Sequence, residues 1–263
     1  MKLEEILKKY NEGSLSLNDF RKFISFSYVE NIENIAKLDI NREIRKGIPE
    51  IIYGENKAYS DLIRIVTKVL KQNELVVISR LSKDYLRKIR AFCKKNNYYF
   101  EIGKNSSTLL LSINKSIKIN ENSKIGIFAA GTSDIGIAEE ARLVSKAMGC
   151  NAITSYDVGI AGMHRIFLSL KQMLTHNVHA IIVVAGMEGA LPSIVSSCVD
   201  IPVIGVPTSI GYGFGSDGIA ALSSMLQSCS LGITVVNIDN GIGAGAFASL
   251  ISNRMCFKNK LSL

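Results

Sequence analysis

Residues 121–263 carry five short, mostly apolar, strand-like runs, at 124–130, 152–157, 180–185, 202–207 and 233–239. Between them lie four stretches with helical spacing, at 137–148, 163–174, 191–199 and 219–227. Strands that are apolar throughout must be covered on both faces, and alternation with helices supplies that cover. The pattern predicts an α/β fold: a doubly wound, mostly parallel sheet. Parallel strands all point the same way, so their carboxyl tips gather at one edge. Those tips are Gly131-Thr132-Ser133-Asp134, Asp157-Val158-Gly159, Gly186-Met187-Glu188-Gly189, Thr208-Ser209 and residues 237–240. Open α/β sheets bind ligands outside the carboxyl ends of their strands. That edge is the expected site.

The first 120 residues are of another kind. They hold 23 of the 31 Lys+Arg but only 4 of the 21 glycines, which divides the chain into a basic region, 1–120, and a near-neutral catalytic candidate, 121–263. Residues 114–123, mostly polar, read as the linker. Leu3, Ile6, Leu7 and Tyr10, then Phe20, Phe23 and Ile24, keep helical spacing. Strands at 50–54, 75–79 and 98–102 alternate with helices at 58–71 and 83–95, a smaller α/β unit. The lysines are scattered over these helices without interleaved aromatics or a nucleic-acid motif, so the net charge of +8 does not point to nucleic acid. Five cysteines without a C-x-x-C pair argue against a disulfide framework or a zinc site. No apolar run is long enough for a membrane span, and the first residues lack the apolar stretch of a signal peptide. A cytoplasmic protein is the expectation. Residues 254–263 read as a basic tail.

The tips carry the candidate chemistry. Gly131, Thr132, Ser133 and Asp134 lead into a helix and suit a phosphate at its amino end, or simply a helix cap. Glu188 sits between small residues with room for a ligand to approach, or else caps the helix that follows. Asp157 is placed similarly, ahead of His164 and Arg165. Asp157 and Glu188 can share a divalent cation or act as an acid/base pair. Residues 213–218 spell the dinucleotide glycine pattern, but five residues separate it from its strand, where the fingerprint needs a tight turn. Arg42 and Arg45 are spaced to reach phosphates together or to form a solvated basic face. Cys229 lies after a helix carboxyl end, the wrong end of the dipole for lowering a thiol pKa. Local physics alone does not select it.

The same residues resemble a known family. Gly131–Asp134, residues 202–207 and residues 218–222 resemble the PurE class of aminoimidazole ribonucleotide carboxylases and mutases. Residues 39–50, 156–165, 185–192, 206–213, Ser228-Cys229 and 237–241 resemble, over nearly the whole chain, the LarB family of pyridinium-3,5-biscarboxylic acid mononucleotide synthases in nickel-pincer cofactor assembly. Where the PurE class has a catalytic histidine on the third strand's tip, this chain has Met187-Glu188.

The resemblance implies that nicotinic acid adenine dinucleotide is carboxylated on its ring by CO₂ or bicarbonate and hydrolysed to the dicarboxylated mononucleotide and AMP. It implies Cys229 as the nucleophile that adds to the ring; Asp157 and Glu188 are the candidates for the base and for Mg²⁺-assisted hydrolysis, the roles being open between them. Substrate contacts would fall to the Gly131–Asp134 loop, His164, Arg165, Gly186, Thr208, Ser209, Arg42 and Arg45. Neither biotin nor ATP is expected, and a dimer-based homo-oligomer, an octamer, is. Two rivals stand beside it: a PurE-type purine enzyme and a nucleotide-binding module without chemistry.

Overall fold

The computed structural model describes residues 3–25, 29–32, 36–39 and 42–261. Ile40 and Asn41, part of one resembling segment, lie outside the described residues, as do Ser262 and Leu263. The chain forms two compact units, residues 1–99 with 111–115, and residues 100–110 with 116–263.

The first unit opens with α1 (Leu3–Asn11) and α2 (Leu17–Ser25), joined through Tyr10 stacked on Phe20 at 4.6 Å between ring centroids. An antiparallel pair follows, β1 (Val29–Ile32) and β2 (Ala36–Asp39), then the short α3 (Arg42–Lys46). β3 (Ile51–Tyr53) and β4 (Leu75–Ser79) pair in parallel, and α4 (Tyr59–Gln72) is the crossover between them. Its Leu62, Ile65, Val66, Val69 and Leu70 are buried, the three-and-four spacing that makes one apolar face. α5 (Lys83–Lys95) starts where the Ser82 hydroxyl accepts the Tyr85 amide at 3.2 Å and ends with exposed Lys94 and Lys95. Those charges suit a helix carboxyl end in water.

β5 (Tyr99–Ile102) and β6 (Leu109–Ser112) carry the chain across the division. Residues 100–110 belong with the second unit because of the carboxylates and cations they share with α6 (Ile135–Ala147). The Lys104 amide donates to Glu139 at 3.0 Å, the Thr108 hydroxyl to Glu140 at 2.9 Å, and Arg142 pairs with Glu101 at 2.7 Å. Burial alone would raise the Glu139 carboxyl. The Arg142 guanidinium, the Tyr156 hydroxyl and the Lys104 amide outweigh it and hold the group below the usual carboxylate range. The composition break at Asn120 is contiguous, whereas this division is not, because pairing across sequence leaves no mark on local composition.

The second unit is the doubly wound domain. β7 (Asn120–Ala129), β8 (Cys150–Tyr156), β9 (Ile181–Ala185), β10 (Val203–Pro207) and β11 (Ile233–Val235) form one sheet in the order β11-β10-β9-β7-β8, with every pairing parallel. On one face Ile125, Ile127, Ile182 and Ile204 pack against alanines of α6 and of α10 (Gly241–Leu261). On the other, Phe128, Ile181, Val183 and Val203 meet α7 (His164–Thr175), α8 (Leu191–Ser197) and α9 (Ile219–Leu226). The faces alternate along each strand, as the pleat requires.

α10 corrects one expectation. Residues 254–261 are the last turns of a 21-residue helix rather than a tail. The helix begins in a glycine-rich stretch that reads locally as loop. A Cβ at Gly241 would lie 2.2 Å from the Ile137 carbonyl oxygen, and one at Gly245 2.5 Å from that of Ala141. These two glycines, one turn apart, let α10 lie directly on the α6 backbone, which repays their low helix propensity. Among the described residues no helix is long and apolar enough to cross a membrane. Gly245→Val is expected to lower the unfolding free energy by roughly 1–3 kcal/mol through overpacking. Arg254→Ala, on the exposed side, should shift it by no more than about 0.5 kcal/mol; urea melts of the two variants make the comparison.

Candidate functional site

In this strand order the chain leaves β7 for β8 on one side, then returns to place β9, β10 and β11 on the other. The switch falls between β7 and β9, and a crevice opens outside the strand ends there. A cleft of about 400 Å³ occupies this place. The Gly131–Asp134 loop after β7, Asp157 and Gly159 after β8, and Gly186, Met187 and Glu188 after β9 line it, with Ile160, Leu191 and Ile210 as apolar walls.

One buried side chain organises these tips. Asp134 accepts the Thr208 hydroxyl at 2.7 Å and the Gly131 amide at 2.8 Å, and the Gly186 amide also donates to it. Burial raises its carboxyl above the usual value, and those three donors work against that rise. The carboxylate therefore ties the tips of β7, β9 and β10 together. Thr208 is fully buried with its proton given to Asp134, so it can act on a ligand only through that carboxylate. The Thr132 and Ser133 side chains stay exposed at the cleft mouth.

The backbone at the tips is strained. Asp157, Met187 and Asp239 have φ of 59°, 51° and 55°, the left-handed region. Asp adopts it readily, whereas Met does not, and such outliers concentrate at functional sites. The Met187 amide donates to the Ile210 carbonyl at 2.9 Å and the Gly189 amide to that of Gly186 at 2.9 Å, which closes the turn and presents Glu188 outward. Gly186 admits no side chain: a Cβ would stand 2.3 Å from the Ile210 carbonyl oxygen. Asp157 is paired with Arg165 at 2.7 Å across the start of α7. Glu188 has no ion-pair partner among the described residues.

The cleft thus gathers the Gly131–Asp134 loop, Asp157, Gly186 and Glu188. Arg165 reaches it through Asp157. His164 is exposed at the start of α7 and does not line it, and the Ser209 amide is held by Asp239 at 2.9 Å. Arg42 and Arg45 belong to the first unit, Arg42 lying 3.8 Å from Glu50 and Arg45 forming a two-pronged pair with Asp39. Cys229 is exposed beyond the carboxyl end of α9 and does not line the cleft. Ile160, Ile210 and the positioning role of Thr208 escaped sequence reasoning; only tertiary contact marks them. Among the described residues no three His, Cys, Asp or Glu side chains converge to hold a metal ion. Of the two carboxylates at the cleft, Asp157 is paired with Arg165 and Glu188 is exposed, and Mg²⁺ is usually held by one or two carboxylates together with substrate phosphates.

A parallel sheet of this order, with its cleft at the switch point, is a PurE-like fold, and the match to known proteins makes the chain a member of a carboxylase class. Residues 124–260 match the AIR carboxylase family model, and residues 29–109 match that of the LarB/PurE-like N-terminal domain. The chain belongs to the LarB family. It is 47% identical over 258 residues to an uncharacterized protein of Methanocaldococcus jannaschii, covering 96% of this chain and 98% of that one. The N5-carboxyaminoimidazole ribonucleotide mutase of Thermotoga maritima is 27% identical over 132 residues, covering 49% of this chain and 74% of the mutase. A probable mutase of the same name from Methanothermobacter thermautotrophicus is 30% identical over 132 residues, which is 49% of this chain and 37% of that protein.

Asp134→Ala leaves the Thr208 hydroxyl and the Gly131 amide unpaired and is expected to cost roughly 2–4 kcal/mol of stability. The shift of the urea midpoint measures it, and an unchanged midpoint would show that the tips hold together without this carboxylate.

Proposed function

We propose that this protein carboxylates and hydrolyses nicotinic acid adenine dinucleotide, yielding pyridinium-3,5-biscarboxylic acid mononucleotide and AMP. The observation that carries this reading is the pairing of a LarB/PurE-like N-terminal domain with a PurE-like cleft that presents Met187-Glu188, not a histidine, on the β9 tip. A purine carboxylase needs a proton shuttle at that position, whereas a pyridinium carboxylase needs a base and a nucleophile.

A pyridinium ring is electron-poor and does not attack CO₂. Addition of the Cys229 thiolate forms a C–S bond and moves a ring electron pair onto nitrogen, leaving an enamine-type carbon. That carbon forms the new C–C bond to CO₂, whether supplied as such or from bicarbonate. A carboxylate then takes the ring proton, the C–S bond breaks and the thiolate leaves with its electron pair, which restores aromaticity. Glu188, unpaired at the cleft, is the group available for that proton, while Arg165 holds Asp157 in place. The substrate's own positive charge favours the thiolate, which the α9 carboxyl end does not.

The Gly131–Asp134 loop, with exposed Thr132 and Ser133 and the amino end of α6 behind it, suits the phosphates. With Glu188 as the base, Asp157 and the substrate's phosphates would hold Mg²⁺, which supplies charge neutralisation for phosphoanhydride cleavage. Hydrolysis adds water to one phosphorus of the anhydride and breaks its bond to the bridging oxygen; the other phosphate leaves with that oxygen, giving AMP and the mononucleotide.

Incubation with nicotinic acid adenine dinucleotide, Mg²⁺ and bicarbonate should give AMP and the dicarboxylated mononucleotide by mass spectrometry. Tight binding without either product would sink the enzyme. Turnover of aminoimidazole ribonucleotides in a parallel reaction would favour the purine alternative, which the mutase relatives support. Cys229→Ala should abolish carboxylation with an unchanged circular dichroism spectrum, and full activity in that variant would remove the covalent step.

A further inference from the structure

α8 carries Ser193, Ser196 and Ser197 among its seven residues, although serine favours caps and turns over helix interiors. Ser197 behaves as such a residue does alone, its hydroxyl returning to the Ile194 carbonyl of its own helix at 2.8 Å. Ser193 and Ser196 do not. They stand three apart on one face of the helix, and both reach across to the turn that follows α9.

That turn carries Cys229. Gly218 brings the chain to the carboxyl end of β10, so close that a Cβ on it would stand 2.8 Å from the Thr208 carbonyl oxygen. The eight residues of α9 then run back along the strand, a rise of about 12 Å, and the turn lies at the strand's other end. There the amide of Val203, the first residue of β10, donates to the Gly232 carbonyl at 3.0 Å. Apolar burial does not secure Cys229, since Leu226 and Leu231 on either side of it are 65% and 92% exposed.

Hydroxyls secure it instead. Ser193 donates to Ser228 at 2.8 Å. Ser230 donates to Ser196 at 3.0 Å, and Ser196 gives its own proton to the Leu231 carbonyl at 2.7 Å. The Ser230 amide donates to the Ser228 hydroxyl at 3.2 Å, which closes the turn on itself. The hydroxyl protons of Ser193, Ser196 and Ser230 are thus all committed, each to a different acceptor. Ser228 and Ser230, tied to α8, are half-buried, while Cys229 between them is exposed. Fastenings on both sides of one residue hold its side chain outward.

We propose that Ser193 and Ser196 are positioning residues for the Cys229 thiol, holding it through Ser228 and Ser230 in the orientation from which it adds to the pyridinium ring. This rests on the thiol-addition reading above. An exposed sulfur on an untethered turn samples many directions, and attack requires one. Fixing that direction before the substrate arrives removes its entropy cost from the chemical step. The two hydroxyls act on the thiol's direction, not on its acidity.

The Ser193→Ala/Ser196→Ala double variant is expected to lose about tenfold to a hundredfold in kcat on nicotinic acid adenine dinucleotide, with KM and the circular dichroism spectrum unchanged. Ser193→Thr/Ser196→Thr, which keeps both hydroxyls, should recover most of that loss, and Ser197→Ala should match the wild type. The pH dependence of Cys229 alkylation by iodoacetamide, read on its own peptide by mass spectrometry, should be the same in all of them, because a small reagent meets the thiol from any direction. An unchanged kcat in the double variant, or a loss that threonine does not recover, overturns the proposal. So does a shifted alkylation profile, which would make the hydroxyls tuners of acidity.

A second arm does not depend on turnover. Deuterium exchange at the amides of residues 228–232 should run about tenfold faster in the double variant than in the wild type or Ser197→Ala. If the wild type leaves nicotinic acid adenine dinucleotide untouched, the reaction is wrong, and exchange alone decides the clamp: faster exchange sustains it, and an unchanged rate refutes it.

Discussion

The buried carboxylate of Asp134 is the interaction on which the rest of the site depends. Three strands of a parallel sheet end at the switch point, and their loops leave in different directions. Nothing in sheet hydrogen bonding holds those ends together once the ladder stops. Asp134 does so by accepting from Gly131, Gly186 and Thr208, one partner for each strand tip. Its burial would be costly for an isolated charge. Donors already fixed by the backbone make the cost acceptable, and they also fix the loop geometry that surrounds the cleft.

The same economy runs through the second unit. Strain at Met187 is stored where the ligand edge needs a sharp turn, and the turn is closed by backbone bonds to Gly186 and Ile210. Small residues do the complementary work on the far face, where Gly241 and Gly245 let α10 rest on α6. The sheet is thereby clamped from behind and shaped in front. The PurE-like architecture supplies the cleft, and the β9 tip sets an exposed Glu188 at its edge.

Much of this was legible in the residues themselves. Continuous apolar runs can only be buried strands, so the parallel sheet, its helices and the edge carrying Gly131–Asp134, Asp157 and Glu188 follow from periodicity. α10 was not legible, because glycine reads as loop until a neighbouring backbone is there to use the space. The assignment of residues 100–110 to the second unit was hidden for a similar reason, since Glu101 and Thr108 acquire their partners only in three dimensions. Thr208 looked like a ligand contact by its place on a tip, yet a hydroxyl's direction is set by whichever acceptor is buried beside it.

By itself, the sequence determined the strand directions and hence the edge at which chemistry is to be sought. Hydrophobic burial and chain connectivity act locally enough to be written in one dimension. Only the tertiary structure decided which residues at that edge share a cleft, that Asp134 binds the tips, and that Cys229 lies a helix length away at the other end of β10. Those are distances between residues remote in sequence. They depend on packing, which the order of residues along the chain does not display.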